Sequence, residues 1–253
     1  MWIYQPQFAE QGDPVSIVTR AKAVGLTHLF VRTGSSVDSF TGAAFLDALL
    51  PVAHANGLRV FGWDFPYLDD VGVDATRAVD AINYTTPTGD RIDGFSADIE
   101  TPYEQVALTA ESATEYGRIL RNAVGPNYPL IATVPRPSPS RQADYPYGAV
   151  VLYFDAIAPM VYWINVLPAD AAAEAMDFLR GFGKPVFPVG QAYDGSYDGG
   201  PAGTPTPDEV AAFINTSSEH GASGVSFWSW QHASDDTWNT IAAAPEVGVK
   251  PPG

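Results

Sequence analysis

Short apolar runs alternate with helix-length stretches along almost the whole chain, and this alternation restricts the possible folds more than any other feature. Strand-like segments fall at residues 2–5, 28–32, 59–64, 94–100, 130–134, 156–162, 185–191 and 224–228. Helix-like stretches follow them at 13–25, 42–56, 73–84, 112–124, 145–153, 169–182, 207–220 and 236–243. Several carry their own punctuation: Asp13 with Pro14 reads as an N-cap and first helical residue, and Gly25, Gly57 and Gly125 read as stops. Strands separated by helices imply a parallel sheet. The 253 residues match the roughly 250 of one closed (β/α)8 barrel. An open doubly wound sheet is the alternative, but it would place a Gly-rich phosphate turn after the first strand, and Gln5-Pro6-Gln7-Phe8 is unlike one. The expectation is therefore an α/β chain forming a single-domain (β/α)8 TIM barrel over residues 1–247. Residues 248–253 read as a linker-like tail, as if the barrel were one domain of a longer chain.

Composition removes several function classes. The net charge of −16 repels phosphate backbones and anionic lipid surfaces, so neither nucleic acid nor membrane is expected as a partner. There is no cysteine, hence no thiolate nucleophile, disulfide or cysteine zinc site. The four histidines are scattered without H-x-H or H-E-x-x-H spacing, which argues against a zinc hydrolase. The lysines, Lys22, Lys184 and Lys250, fall on helices, loops or the tail, so a Schiff-base enzyme lacks its nucleophile. No cofactor and no metal are expected.

Barrel chemistry sits at the C-terminal strand ends, and the polar and aromatic residues there are the candidates. They are Gln5, Arg32, Asp64, Asp98 with Glu100, Arg136, Tyr162 with Trp163, Gln191 with Tyr193, and Trp228 with Trp230 and Gln231. The segment Asp93-Gly94-Phe95-Ser96-Ala97-Asp98-Ile99-Glu100 is the most informative. Side chains alternate along a strand, so Phe95, Ala97 and Ile99 suit the helix-facing side while Ser96, Asp98 and Glu100 point into the barrel. Two carboxylates placed so, roughly 6–7 Å apart, raise one another's proton affinity, which is how a carboxyl stays protonated as a general acid near neutral pH. Asp64 reads as the other inward strand-end acid, with Trp63 on the opposite, structural face. The aromatics at and beyond the strand ends suit sugar faces, whose C–H groups stack on rings.

The stretch D-G-F-x-x-D-x-E resembles the fourth-strand signature of family 18 chitinases, usually D-G-x-D-x-D-x-E. Ala158-Pro159-Met160-Val161-Tyr162 is similar to that family's M-x-Y motif, and Gly224-Val225-Ser226-Phe227-Trp228 to its eighth strand. Ser96 stands where the family carries an inner Asp, and Trp163 where an acidic residue often follows the Tyr. The resemblance implies Glu100 as general acid, Asp98 orienting a substrate acetamido group that serves as nucleophile, and Tyr162 assisting it. Leu29-Phe30-Val31-Arg32-Thr33-Gly34 and Ala53-His54-Ala55-Asn56-Gly57-Leu58 resemble, less completely, units of family 25 lysozyme barrels.

Together these readings point to a retaining, endo-acting glycoside hydrolase acting on a polysaccharide or glycan. Its catalytic residues would be Glu100, Asp98 and Tyr162, with Asp64, Arg32, Gln5, Trp163, Gln191, Tyr193, Trp228 and Trp230 binding a carbohydrate substrate. The alternative is a non-catalytic glycan-binding barrel. A monomer, extracellular or associated with the cell wall, is the expected form.

Overall fold

A computed structural model describes residues 1–248, and the tail expected at 248–253 lies outside the described residues beyond its first position. Among the described residues, eight strands lie side by side in chain order. They are β1 Trp2–Ile3, β2 His28–Ser35, β3 Arg59–Phe65, β4 Gly94–Asp98, β5 Leu130–Pro135, β6 Ala156–Val161, β7 Val189–Gln191 and β8 Ser226–Trp228. All neighbouring pairs are parallel, with Asp64 level with Ala97 and Asp98 level with Thr133. At the seam between β8 and β1, the Trp2 indole donates to the Ser226 hydroxyl at 2.9 Å. Tyr4 and Trp228 also meet there, ring centroids 5.7 Å apart. The expected (β/α)8 barrel is the observed fold.

Helices α1 Pro14–Ala23, α2 Ala43–Ala55, α3 Val71–Asn83, α4 Ala110–Val124, α5 Pro139–Asp144, α6 Tyr147–Val150, α7 Pro168–Leu179, α8 Pro207–Glu219 and α9 Asp235–Ala243 surround the sheet. Their starts are set by local chemistry. The Asp13 carboxylate accepts from Ser16 N at 2.8 Å, Asp70 from Val73 N at 3.0 Å, and Thr206 with Glu209 closes a capping box, each satisfying donors that a helix leaves open. The helix expected at 145–153 is instead the two short helices α5 and α6, separated at Tyr145 and Pro146. Proline disfavours helical backbone in the residue before it, and Tyr145 is extended. β2 runs three residues past its expected end and turns back through an antiparallel segment, Ser39–Phe40. A register shift between Arg32 and Gly34 accompanies that extension.

Two apolar layers result. Outside the sheet, residues such as Val31, Phe95, Ala97, Ala132 and Val161 pack against the helices. Inside, Trp2, Phe30, Phe61, Trp63, Ile131, Ala156, Ala158 and Val189 fill the barrel. Large rings from β1, β2 and β3 face small side chains on β4 and β6, Ser96, Ala156 and Ala158, so the interior closes without widening. Trp2 stacks on Phe30 at 4.3 Å and Trp63 meets Trp228 at 5.3 Å. This aromatic plug is the floor on which the site rests.

Candidate active site

Above the plug the barrel opens into a cleft of about 1450 Å³ at the C-terminal strand ends. β4 delivers both carboxylates to it. Phe95, Ala97 and Ile99 are fully buried toward the helices, which leaves Asp98 and Glu100 on the cleft side. The backbone between them is pinned twice. Ile99 N donates to Thr133 O at 3.0 Å, and the Tyr145 hydroxyl donates to Ile99 O at 2.6 Å. Just beyond, Thr101 caps the turn Pro102–Glu104, and Glu104 reaches back to Thr101. This capping box places a third carboxylate, Glu104, on the cleft wall.

Burial dominates the electrostatics. Asp98 is 7% exposed, and its carboxyl is pushed up to about 7, first by desolvation, then by the charges of Asp64 and Glu104, with Arg32 opposing. Glu100 is held well above the usual carboxylate range by burial, then by Asp98 and Glu104, against Arg141. Asp98 Oδ1 is buried without a hydrogen-bond partner among the described residues. Ser96, one step deeper, bonds to Thr133 (2.7 Å) instead. Opposite, burial and the neighbouring Tyr193, Asp98 and Glu100 raise the Tyr162 phenol, which keeps it a neutral donor. Tyr162 meets Tyr193 edge-on at 5.3 Å, and the Tyr193 hydroxyl donates to Asp198. Arg32 holds Asp38 at 2.7 Å and lies over the Tyr4 ring, 4.9 Å from its centroid. The cleft thus combines a proton-holding carboxyl pair, a neutral phenol and ring faces, the groups needed to protonate a leaving oxygen and to grip an amphipathic substrate.

Six of the residues expected at the site converge here: Asp98, Glu100, Tyr162, Arg32, Tyr193 and Trp228. Five lie elsewhere. Asp64 was expected inside the barrel and Trp63 outside; the faces are the reverse. Asp64 is 1% exposed and ion-paired with Arg77 of α3 at 2.8 Å, while Trp63 lines the cleft. Gly62 explains the phase, because its missing side chain admits Ile92 and Thr33 on the helix-facing side, where a Cβ would meet them at 2.8 and 2.9 Å. Trp163 packs outward on Phe213 of α8, centroids 5.5 Å apart. Trp230 packs on Trp238 of α9 at 4.8 Å. Gln191 is buried, its amide donating to Tyr193 O at 3.2 Å. Gln5 precedes the turn Pro6–Phe8, where its backbone carbonyl accepts from Phe8 N at 3.0 Å, and its side chain is not part of the cleft lining. Residues that strand-end reasoning missed include Tyr4, Glu104, Arg141 and Asp198. Tyr4 follows from alternation with Trp2, and Glu104 from its T-x-x-E spacing. Arg141 and Asp198 carry no such signal.

A (β/α)8 barrel with paired, proton-retaining carboxyls at the mouth of its fourth strand is the class that fold and site define. No family model and no curated protein matches the sequence. Solved structures do match. A GH18 chitinase from Pseudoalteromonas aurantia is similar with a TM-score of 0.65 at 15% identity, covering 96% of each chain. A GH113 beta-1,4-mannanase gives 0.64 at 11% identity, over 96% of this chain and 95% of its own. The xylanase and alpha-amylase inhibitor protein XAIP-II from Scadoxus multiflorus gives 0.54 at 15% identity, over 89% and 90%. The likeness to family 18 barrels therefore extends from three short motifs to the fold as a whole, at identities where it is the fold alone that is shared.

Proposed function

We propose that this chain is a glycoside hydrolase, endo-acting and retaining, with Glu100 as general acid and Asp98 as assisting carboxylate. The observation that carries the reading is the convergence of Asp98, Glu100 and Tyr162 in one aromatic-walled cleft, with the Asp98 carboxyl pushed up to about 7 and that of Glu100 held well above the usual carboxylate range by burial. A general acid works best with a proton affinity near the operating pH.

In the proposed reaction Glu100 gives its proton to the glycosidic oxygen as the bond to the anomeric carbon breaks. The carbonyl oxygen of the substrate's own 2-acetamido group attacks that carbon. The unpartnered Oδ1 of Asp98 accepts the acetamido N–H, and the Tyr162 hydroxyl donates to the acetamido oxygen. Water then attacks the anomeric carbon, giving a proton to the Glu100 carboxylate, and the acetamido group is restored. Direct attack by a protein carboxylate needs a second one about 5–5.5 Å from the acid, on the other side of the sugar. Asp98 shares a strand with Glu100, and Asp64 is ion-paired behind the barrel wall. Participation by the acetamido group requires neither. A polymeric glycan as substrate would place the enzyme outside the cell or at the wall.

A panel of labelled glycans, followed by a matched substrate pair carrying either a 2-acetamido or a 2-hydroxyl group in the cleaved subsite, tests this reading. The acetamido substrate is expected to be cleaved and the hydroxyl analogue to be inert. Equal rates would reject acetamido participation and shift the second carboxylate to Glu104 or Asp198. Binding without any product would favour the alternative, a glycan-binding barrel.

A further inference from the structure

Behind the barrel wall, between β3 and the helices, lies a buried ionic cluster that the proposed reaction does not use. Asp64 at the end of β3 accepts from Arg77 Nε at 2.8 Å, and Arg77 Nη1 donates to Asp74 at 2.7 Å. The three side chains are 1%, 6% and 4% exposed. The buried Tyr116 hydroxyl of α4 lies beside Asp64. The cluster holds two carboxylates and one guanidinium, so it carries an excess negative charge in a place shielded from water.

Asp74 also accepts from Ser36 Oγ at 2.5 Å and from Leu68 N at 2.8 Å, and Ser36 Oγ accepts from Tyr67 N at 2.7 Å. Tyr67 O in turn accepts from Ala107 N at 2.7 Å. The loops after β2, β3 and β4 are therefore joined to one anchor. Anchoring these loops is one role of the cluster, but stability by itself does not call for charge there, since well-packed apolar groups often serve as well or better in such positions. What an ionic cluster offers is a fixed charge. Asp64 is on the strand next to Asp98, level with Ala97, so only the sheet separates the two carboxyls.

We propose that Asp64 is a positioning residue for the reacting pair: clamped by Arg77 and Asp74, it holds a carboxylate charge against the back of Asp98 and so keeps a proton on the cleft carboxyls. The proposal rests on the glycosidase reading for the meaning of that pair, but the charge coupling can be measured without any substrate. Facing Asp98 are Asp64 from β3, Glu104 and Glu100 from its own strand and loop, Arg32 from β2 and Tyr162 from β6. Facing Asp64 are Arg77 and Asp74 from α3, Arg32 from β2 and Tyr116 from α4. Among these, Asp64 and Glu104 act to raise Asp98 and Arg32 acts to lower it. Its own carboxyl is pushed up to about 6 by burial, against Arg77. Above that pH it is ionised, over the range where the pair would otherwise begin to lose its proton.

The test is an NMR titration of isotopically labelled aspartate carboxyls in the whole protein. In Asp64→Asn, proton affinity at Asp98 should fall about threefold to thirtyfold, as expected for like charges a barrel wall apart. The paired replacement Asp64→Asn with Arg77→Gln, which removes the anion together with its clamp, supplies a second reading if Asp64→Asn alone does not fold: Asp98 should again titrate below its wild-type position. A purely structural Asp64 would lower thermal stability and leave the Asp98 titration where it is. An unmoved Asp98 in folded Asp64→Asn, or in the paired Asp64→Asn with Arg77→Gln, overturns the proposal and leaves the glycosidase reading intact. Absence of glycan turnover with coupled titrations would overturn only the glycosidase reading.

Discussion

At the scale of single residues, Asp98 sets function against stability. Its carboxyl is raised from 3.8 to about 7 in the folded protein. A raised carboxyl contributes fully to folding only below its unfolded value, and the contribution is lost as pH rises through the folded one. Each unit is worth about 1.36 kcal/mol, so an ionised Asp98 costs the fold about 2–4 kcal/mol above neutrality. Asp98→Asn should therefore raise the unfolding free energy at pH 8 by an amount of that order, be neutral near pH 4, and abolish turnover. Unfolding of both proteins across pH checks this. An equal difference at all pH values would mean that the substitution acts through packing rather than through charge. The Asp98-Glu100 spacing and its inward phase were readable from sequence because Phe95, Ala97 and Ile99 fix the other face. At Asp64 the same reasoning failed. β3 is buried on both sides, so an apolar run gives no phase, and Arg77, which claims Asp64, is brought there by a helix.

At the scale of elements, the loops after the strands divide what the tryptophans and tyrosines do. Trp163 follows β6 by two residues, a position that sequence reading treats as part of the sugar site, yet its ring is spent on Phe213. Trp163→Ala should cost about 3–5 kcal/mol of stability, the usual range for a buried aromatic, with KM unchanged in whatever remains folded. Tyr103 and Tyr197, on the loops after β4 and β7, are 92% and 72% exposed and both line the cleft. Exposed rings on two sides suit a chain lying across the mouth. Tyr197→Ala should weaken binding of long oligosaccharides about three- to tenfold, a loss in line with one ring contact, and leave the shortest cleaved substrate unaffected. Calorimetric titration on the Glu100→Gln background would measure it; equal losses for short and long ligands would remove Tyr197 from any outer subsite. Strand and helix order was legible because it rests on periodicity. The loops were not, since Arg141 and Asp198 reach the cleft through the turns of α5 and the segment Gly195–Asp198, whose paths depend on tertiary contacts.

At the scale of the whole molecule, the barrel was the part most completely encoded. Eight apolar runs spaced by helices leave few alternatives, and the absence of a phosphate turn after β1 removes the open sheet. The split at Tyr145 and Pro146 and the extension of β2 changed boundaries without changing topology. What periodicity could not supply was which rings would form the plug and which would line the cleft, because all of them are apolar and near strand ends; the choice follows from the small residues, Gly62, Ser96, Ala156 and Ala158, that set where bulk can go. The account of function converges on one atom group, the Glu100 carboxyl, and one measurement addresses it most directly: reducing-end release from a panel of polysaccharides by the wild-type protein and by Glu100→Gln. The wild type should release ends from at least one polymer. Glu100→Gln should bind that polymer equally well while its kcat falls by about 10²–10⁴, the usual worth of general acid catalysis. Turnover by Glu100→Gln at the wild-type rate would contradict the account.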